Sequence, residues 1–178
     1  MPPRTLVVLA LLAAIAAPSA AQEAYTFTLS ALGGLGGSLD EDDAGLDNGG
    51  FQVGFSMVTE PRTHVGARLG RLDFSTSDAL GSLSDPSLTY LTLAGEYRFR
   101  EPYYESGIYL GLGGYRLEGD RAGAAAADQT ALGGVLGVTG EFQLTRRLAV
   151  LVEFAGHWAD FDETQLFGTG HAGLAFHF

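Results

Sequence analysis

The chain has 178 residues, of which 21 are acidic and 10 are basic, so its formal net charge is −11. All of the basic side chains are arginines, and cysteine is absent. The acidic balance argues against nucleic acid as a partner, because phosphate backbones are bound by clustered positive charge. The lack of cysteine excludes disulfides, thiolate metal sites and a cysteine nucleophile.

The first 21 residues have the pattern of a cleaved signal peptide. Arg4 supplies a positive charge, and the apolar run from Leu6 to Ala17 is too short to span a membrane. Small residues follow at Ser19 to Ala21. We therefore predict export, cleavage before Gln22, and a single mature domain over 22–178 whose net charge is −12 because Arg4 is removed.

Eight segments of the mature chain alternate with a period of two, which is typical of β-strands. In each segment Leu, Val and Phe occupy one face, and small, polar or charged residues occupy the other. The predicted strands are Tyr25–Leu35, Gly50–Thr59, His64–Phe74, Ser87–Arg100, Tyr104–Leu117, Gln129–Gln143, Leu148–Ala159 and Gln165–Phe178. The alternation is lost from Arg71 to Phe74, where we expect a β-bulge or the membrane boundary.

The connections between these strands alternate in length. Short ones are predicted at 60–63, 100–103 and 144–147, and longer polar ones at 36–48, 75–86, 118–128 and 160–164. Membrane barrels have strands of this length, short periplasmic turns and longer outer loops. The predicted fold is an all-β, eight-stranded, antiparallel up-and-down transmembrane β-barrel. A soluble lipocalin-like barrel, with its apolar residues facing inward, is the alternative.

The last predicted strand places Leu174, Phe176 and Phe178 on one face and ends on an aromatic residue. This pattern resembles the C-terminal assembly signal of bacterial outer-membrane proteins. The whole mature chain resembles the small eight-stranded barrels of the OmpA, OmpX and OmpW type. The resemblance implies a location in the bacterial outer membrane, contact with its lipid and lipopolysaccharide, and insertion by the barrel-assembly machinery with periplasmic chaperones.

With the apolar face outward, the inner face of the predicted barrel carries a set of ionisable residues. An eight-stranded barrel is just wide enough inside for side chains, and buried charges have to be paired. We predict a charge network that plugs the lumen, with a narrow ion-conducting path as the alternative. The predicted network consists of Arg68, Glu96, Arg98, Glu105, Glu141, Glu153, His157 and His171.

Two of these histidines, His157 and His171, lie on adjacent predicted strands near Glu153. Imidazole and carboxylate suit a metal site. Some barrels that resemble this chain deacylate lipid A with a Ser/His/acid set, in which the histidine precedes the serine by two residues. Here Ala159 and Gly173 occupy those positions. We therefore expect interior histidines without a catalytic, metal-binding or cofactor-binding role.

The acidic run Asp40-Glu41-Asp42-Asp43, together with Asp47, does not match an EF-hand, because the twelfth position is Phe51. A solvated loop that keeps the cell surface negative is the expectation, and divalent cations bridging these acids to lipopolysaccharide phosphates are the alternative.

The expected function is that of a monomeric outer-membrane protein with a structural or surface-interaction role, and not that of an enzyme. A narrow porin-like channel for ions, small solutes or hydrophobic solutes is the main alternative. A lipid A-modifying enzyme is a further one.

Overall fold

Eight strands make up the part of the chain that the computed structural model describes, namely residues 26–39, 46, 48–74, 83–100, 104–121, 127–161 and 164–178. The strands are β1 Phe27–Ser38, β2 Asn48–Glu60, β3 Thr63–Asp73, β4 Leu83–Arg100, β5 Tyr104–Arg121, β6 Ala127–Gln143, β7 Leu148–Asp160 and β8 Thr164–His177. Within these ranges no helix is long and apolar enough to cross a membrane. The predicted signal peptide, 1–21, and the acidic residues at 40–43 and 47 lie outside them.

Each strand pairs antiparallel with the next, and β1 pairs with β8 to close the barrel. At the closure Ala31 of β1 lies opposite Leu174 of β8, while its other neighbour is Val53 of β2. Closure gives every strand a partner on both sides, which satisfies the backbone polar groups in lipid. The predicted eight-stranded up-and-down barrel is confirmed.

The two faces of the wall differ sharply in chemistry. Leu, Val and Phe side chains such as Val53, Leu91 and Phe154 are exposed on the outside, whereas Gln52 and Glu96 are buried inside. An apolar exterior of this kind is what lipid requires of a spanning barrel. The alternative in which the apolar residues face inward is therefore wrong.

Several strands extend further toward the long loops than the sequence predicted. β4 begins at Leu83, β5 continues to Arg121 and β6 begins at Ala127, so the predicted loops 75–86 and 118–128 are shorter. Alternation of apolar and polar residues defines only the part of a strand that faces lipid on one side. Beyond it, polar residues continue the hydrogen-bonded ladder, as in the pairing of Arg116 with Thr130.

Of the two explanations offered for the lost alternation at Arg71 to Phe74, the β-bulge is wrong. Pairing stays regular through Asp73, and the irregularities lie between Val58 and Glu60 and at the start of β4. The end of the barrel at the connections 39–47, 74–82, 122–126 and 161–163 is here called the loop end, and the opposite end is called the turn end. The pattern changes because the lumen is apolar at the loop end, so that inward positions there carry large apolar side chains. They form a buried cluster, here called the apolar cap, of Leu72, Phe74, Leu88, Tyr90, Tyr115, Leu117, Ala131, Ala159 and Phe167.

Glycine at inward positions makes room for large interior side chains. A Cβ on Gly137 of β6 would overlap the ring of Tyr109, which is almost completely buried on β5. By contrast, a Cβ on Gly156 of β7, which faces outward, would meet no atom within 4 Å. Both glycines lie within strands, but only Gly137 has other atoms where a Cβ would lie.

We predict that Gly137→Ala destabilises the barrel by about 1–3 kcal/mol through overpacking against Tyr109. The matched variant Gly156→Ala should be neutral or slightly stabilising, because glycine weakens a strand and nothing there obstructs a methyl group. Urea unfolding of the protein in detergent micelles measures both. Equal stability of the two variants would contradict the packing described here.

Candidate functional site in the barrel interior

The ionisable side chains singled out from the sequence all lie on the inner face of the barrel. They come from six different strands, β3 to β8. Glu105, near the turn end, is partly buried with a side chain 21% exposed. The others are buried: Arg68, Glu96, Arg98, Glu141, Glu153, His157 and His171.

Arg68 on β3 connects opposite walls of the lumen. Its Nη2 lies 3.1 Å from Oε2 of Glu96 on β4, and its Nε lies 2.9 Å from Oε2 of Glu153 on β7. In a closed ring of eight strands, β3 and β7 face each other across the interior. The guanidinium also stacks on the ring of Tyr109, with 3.8 Å between Cζ and the ring centroid.

Arg98 joins the same network nearer the turn end. Its Nε donates to Oε1 of Glu96 at 2.9 Å, and its Nη1 donates to Oε2 of Glu141 at 2.9 Å. The same Nη1 lies 3.5 Å from Oε2 of Glu105. Glu96 therefore bridges the two buried arginines, one through each carboxylate oxygen. Such charge-assisted bonds are the strong ones, and their loss would leave buried charges unpaired.

Neutral side chains outside the predicted set also join the network, and Gln52 and Tyr90 extend it toward the apolar cap. Gln52 of β2 donates through Nε2 to Oε1 of Glu153 at 2.8 Å. Tyr90 of β4 donates its hydroxyl to Oε1 of Gln52 at 2.9 Å. Thr139 of β6 donates to Oε1 of Glu96 at 2.8 Å. All three share the inward phase of the charged residues, which is the signal that could have found them.

At the turn end the network reaches β8 and β1. Nε2 of His177 lies 2.8 Å from Oε1 of Glu141, and Nδ1 of the same ring lies 3.0 Å from the hydroxyl of Thr28. Every strand thus contributes at least one member to what we call the lumen network. Its members are Thr28, Gln52, Arg68, Tyr90, Glu96, Arg98, Glu105, Thr139, Glu141, Glu153 and His177.

The lumen network carries more negative than positive charge. Four glutamates face two arginines inside the barrel, and Arg100 at the turn end adds a partner for Glu105, with 3.0 Å between Nε and Oε1. A cation is therefore the ion that the interior would favour if a path through it opened.

His157 lies between the lumen network and the apolar cap. The hydroxyl of Tyr115 donates to the carbonyl of Gly134 at 2.9 Å and lies 3.2 Å from Nδ1 of His157. Nε2 of the same ring lies 3.4 Å from the hydroxyl of Thr169. This histidine is therefore held by neutral partners.

His171 lies opposite Glu153 in the β7–β8 ladder, and neither of its ring nitrogens has a hydrogen-bond partner within the described ranges. In that same part of the chain, no three His, Asp or Glu side chains are placed to hold a metal ion together. Neither His171 nor His157 has a serine as a hydrogen-bond partner in the described part.

The C-terminal residues complete the closure of the barrel. The backbone N–H of Phe178 donates to the carbonyl of Phe27 at 3.0 Å, and the N–H of Phe27 donates to the carbonyl of Phe178 at 2.9 Å. Leu174 and Phe178 are exposed on the outer face, and Phe176 is partly buried beside Phe178, with ring centroids 6.1 Å apart. The three outward side chains thus lie where the first and last strands join.

A closed barrel of eight strands, apolar outside and polar inside, defines a membrane-spanning β-barrel protein. Residues 7–178 match the family described as the outer membrane protein beta-barrel domain, and the chain belongs to this family. It is therefore a bacterial outer-membrane β-barrel protein. None of the curated protein sequences matches it.

Solved structures with the same fold are similar over nearly their whole length. Neisserial surface protein A, NspA, is 12% identical, with a TM-score of 0.67 and coverage of 90% of this chain and 100% of that one. The N-terminal β-barrel domain of OprF from Pseudomonas aeruginosa is 10% identical, with a TM-score of 0.63 and coverage of 86% and 98%.

Ail, the attachment invasion locus protein of Yersinia pestis, is 14% identical, with a TM-score of 0.56 and coverage of 86% and 97%. Its structure has also been solved in complex with the heparin analogue sucrose octasulfate. At these identities the likeness is one of fold.

We predict that Arg68→Ala lowers the free energy of unfolding by about 3–5 kcal/mol, because it leaves the buried Glu153 without a cationic partner and removes one of the two arginines bound to Glu96. Arg71→Ala is the matched control. Arg71 lies on the same strand but on the outer face, where its ion pair with Asp73 is solvent-exposed. That variant should change stability by about 0–1 kcal/mol.

Thermal or urea unfolding in detergent measures both variants. A double-mutant cycle of Arg68→Ala with Glu153→Gln isolates the bond across the lumen. An Arg68→Ala variant as stable as the Arg71→Ala variant would contradict a structural role for the network.

Proposed function

We propose that the protein is a closed, non-conducting outer-membrane barrel with a structural or surface-interaction role. The observation that carries this proposal is the lumen network, in which Arg68 joins β3 to β7 directly across the interior. Further bonds through Glu96 and Arg98 continue toward the turn end, and the apolar cap fills the loop end. Side chains therefore occupy the lumen at successive levels, as expected for a barrel of this size.

The charge of the connections supports a role at the cell surface. The four connections at the loop end, 39–47, 74–82, 122–126 and 161–163, contain no arginine, and three of them are longer than any connection at the other end. Their acidic residues are Asp40, Glu41, Asp42, Asp43, Asp47, Asp78, Asp162 and Glu163. We place this end outside the cell, since outer-membrane barrels have their longer loops there and their short turns in the periplasm.

The names of two similar structures bear on the same proposal. NspA is a surface protein and Ail an attachment protein. A polyanion such as the heparin analogue bound by Ail does not suit the acidic loops of this chain. A partner with positive charge, or divalent cations shared with lipopolysaccharide phosphates, suits them better.

Biogenesis is part of the proposal. Residues 1–21 are removed on export, and the mature domain 22–178 inserts as a monomer. Periplasmic chaperones deliver it to the barrel-assembly machinery, which recognises Leu174, Phe176 and Phe178 on the closing strand. Their side chains face outward on β8, and the edge of this strand stays unpaired until it joins β1.

A narrow channel is the second candidate, and the excess of glutamate in the lumen network is the observation in its favour. Opening would require Arg68 to leave Glu96 or Glu153, and the path would then carry cations. We propose no enzymatic activity.

Full-length protein expressed in a Gram-negative host should be found in the washed outer-membrane fraction. An unboiled sample should run faster on a detergent gel than a boiled one, because the closed barrel resists detergent until heated. N-terminal sequencing of the same band should begin at or within two residues of Gln22. A soluble periplasmic protein without a mobility shift would contradict the proposed location.

In planar bilayers we expect the wild-type protein to give no single-channel steps. Arg68→Ala removes the connection between β3 and β7, so any conductance that appears in this variant should be cation-selective. Arg71→Ala, whose change lies on the outer face, should stay silent. If the wild type conducts steadily and Arg68→Ala does not change this conductance, the proposal of a plugged lumen is overturned and the channel is favoured.

A further inference from the structure

His157 of β7 packs where the two filled parts of the barrel interior meet. The residue is 3% exposed, and the centroid of its ring lies 4.8 Å from that of Tyr90 and 5.9 Å from that of Tyr115. Both tyrosines belong to the apolar cap, and Tyr90 also belongs to the lumen network through its bond to Gln52. The imidazole therefore forms a junction between the apolar cap and the lumen network.

The polar contacts of this imidazole are with neutral groups. Nδ1 lies 3.2 Å from the hydroxyl of Tyr115, and Nε2 lies 3.4 Å from the hydroxyl of Thr169. A neutral imidazole has one donor and one acceptor nitrogen, so it suits two hydroxyl groups. An imidazolium in the same place would be a buried cation whose hydrogen-bond partners carry no negative charge.

Two of the groups that face His157 from neighbouring strands are cationic or can become so. Arg68 on β3 and His171 on β8 lie close enough to act on it electrostatically. The carboxylate on its own strand, Glu153, lies two inward positions nearer the turn end and is bound by Arg68 and Gln52. A protonated His157 would therefore meet repulsion from Arg68, and the carboxylate of its own strand is already occupied.

The other neighbours of His157 carry no charge. In the ladder it lies opposite Val135 of β6 and Phe167 of β8, which are both completely buried. Tyr90 of β4 and Tyr115 of β5 are titratable, but a phenol has an ordinary pKa of about 10 and is neutral at and below pH 7. These four side chains offer no anion to a protonated ring.

The charge of His157 links folding to pH. A histidine in water takes up a proton near pH 6.5, whereas the closed interior accommodates the neutral ring. Since the unfolded chain then binds one more proton than the folded one, the stability contributed by the neutral ring is complete above this pH and is lost as the pH falls. Between pH 7.5 and 5.0 this one residue raises the equilibrium constant for unfolding about 30-fold.

We propose that His157 is an acid-sensitive junction, at which protonation of the imidazole separates the apolar cap from the lumen network. The ion pairs nearer the turn end, such as that of Arg98 with Glu141, join opposite charges and stay closed at the same pH. The proposal rests on the plugged lumen and the orientation proposed above, which place the junction toward the outside of the cell. Acid outside the cell then loosens the outer part of the plug.

Hydrogen exchange of the folded protein in detergent micelles tests which part of the interior responds. After correction for the intrinsic effect of pH on exchange, the amides around Tyr90 of β4 and Tyr115 of β5 should lose protection between pH 7.5 and 5.0. The amides at the turn ends of the same strands should not. His157→Gln, whose amide takes up no proton, should keep its protection at both pH values. Equal loss of protection along the whole strands would contradict a local junction.

Urea unfolding at the same two pH values measures the linkage. The equilibrium constant for unfolding of the wild type should rise about 30-fold more than that of His157→Gln. His177→Gln is the matched control, because Nε2 of His177 lies 2.8 Å from Oε1 of Glu141, so that a charged ring there has a carboxylate beside it. This control should keep at least the pH dependence of the wild type.

The junction is overturned if His157→Gln keeps the pH dependence of the wild type, or if His177→Gln loses it as well. If His157→Gln does not fold, His157→Phe takes its place, since an apolar ring suits the apolar cap, and the same two outcomes decide. Conductance at pH 7.5 reports the plugged lumen independently, so failure of the junction is distinguishable from failure of the proposed function.

Discussion

The narrowness of an eight-stranded lumen is the constraint on which the rest of the interior depends. A wall of eight strands encloses a space that side chains fill, so an ionised residue there has to find its partners on the facing strands. Arg68 meets Glu153 from the opposite wall, and Glu96 divides its two oxygens between Arg68 and Arg98. The inward glycines belong to the same arrangement, since Gly137 leaves the space that the ring of Tyr109 occupies.

Much of the fold could be predicted because alternate residues of a strand in a membrane barrel face lipid and the lumen, and these two environments select different side chains. Period-two alternation located eight strands and identified Phe51, Val53 and Leu91 as outward-facing. It could not locate the ends of β4 and β5, because outside the membrane neither face needs to be apolar. It also misled at Leu72, where an apolar residue is inward and an arginine is its outward neighbour, since the lumen itself becomes apolar at that level.

The contacts within the interior were much less predictable than the faces. Alternation predicts which side of the wall a residue faces. Its hydrogen-bond and ion-pair partners across the lumen depend on strand tilt and stagger, which the alternation does not determine. No sequence motif therefore predicts that Gln52 and Tyr90 belong to the lumen network, although the alternation does predict that both face inward.

The bond between Arg68 and Glu153 joins residues 85 positions apart in the chain. A chain that emerges from its amino terminus presents Arg68 long before its partner on β7, and the ring is complete only when β8 reaches β1. Folding is therefore late and cooperative, since contacts between distant positions stabilise the chain only after most of it has been ordered. An unfinished barrel leaves Arg68 with Glu96 of the adjacent strand but without Glu153, and in this way the interior makes an incomplete ring unfavourable in the membrane.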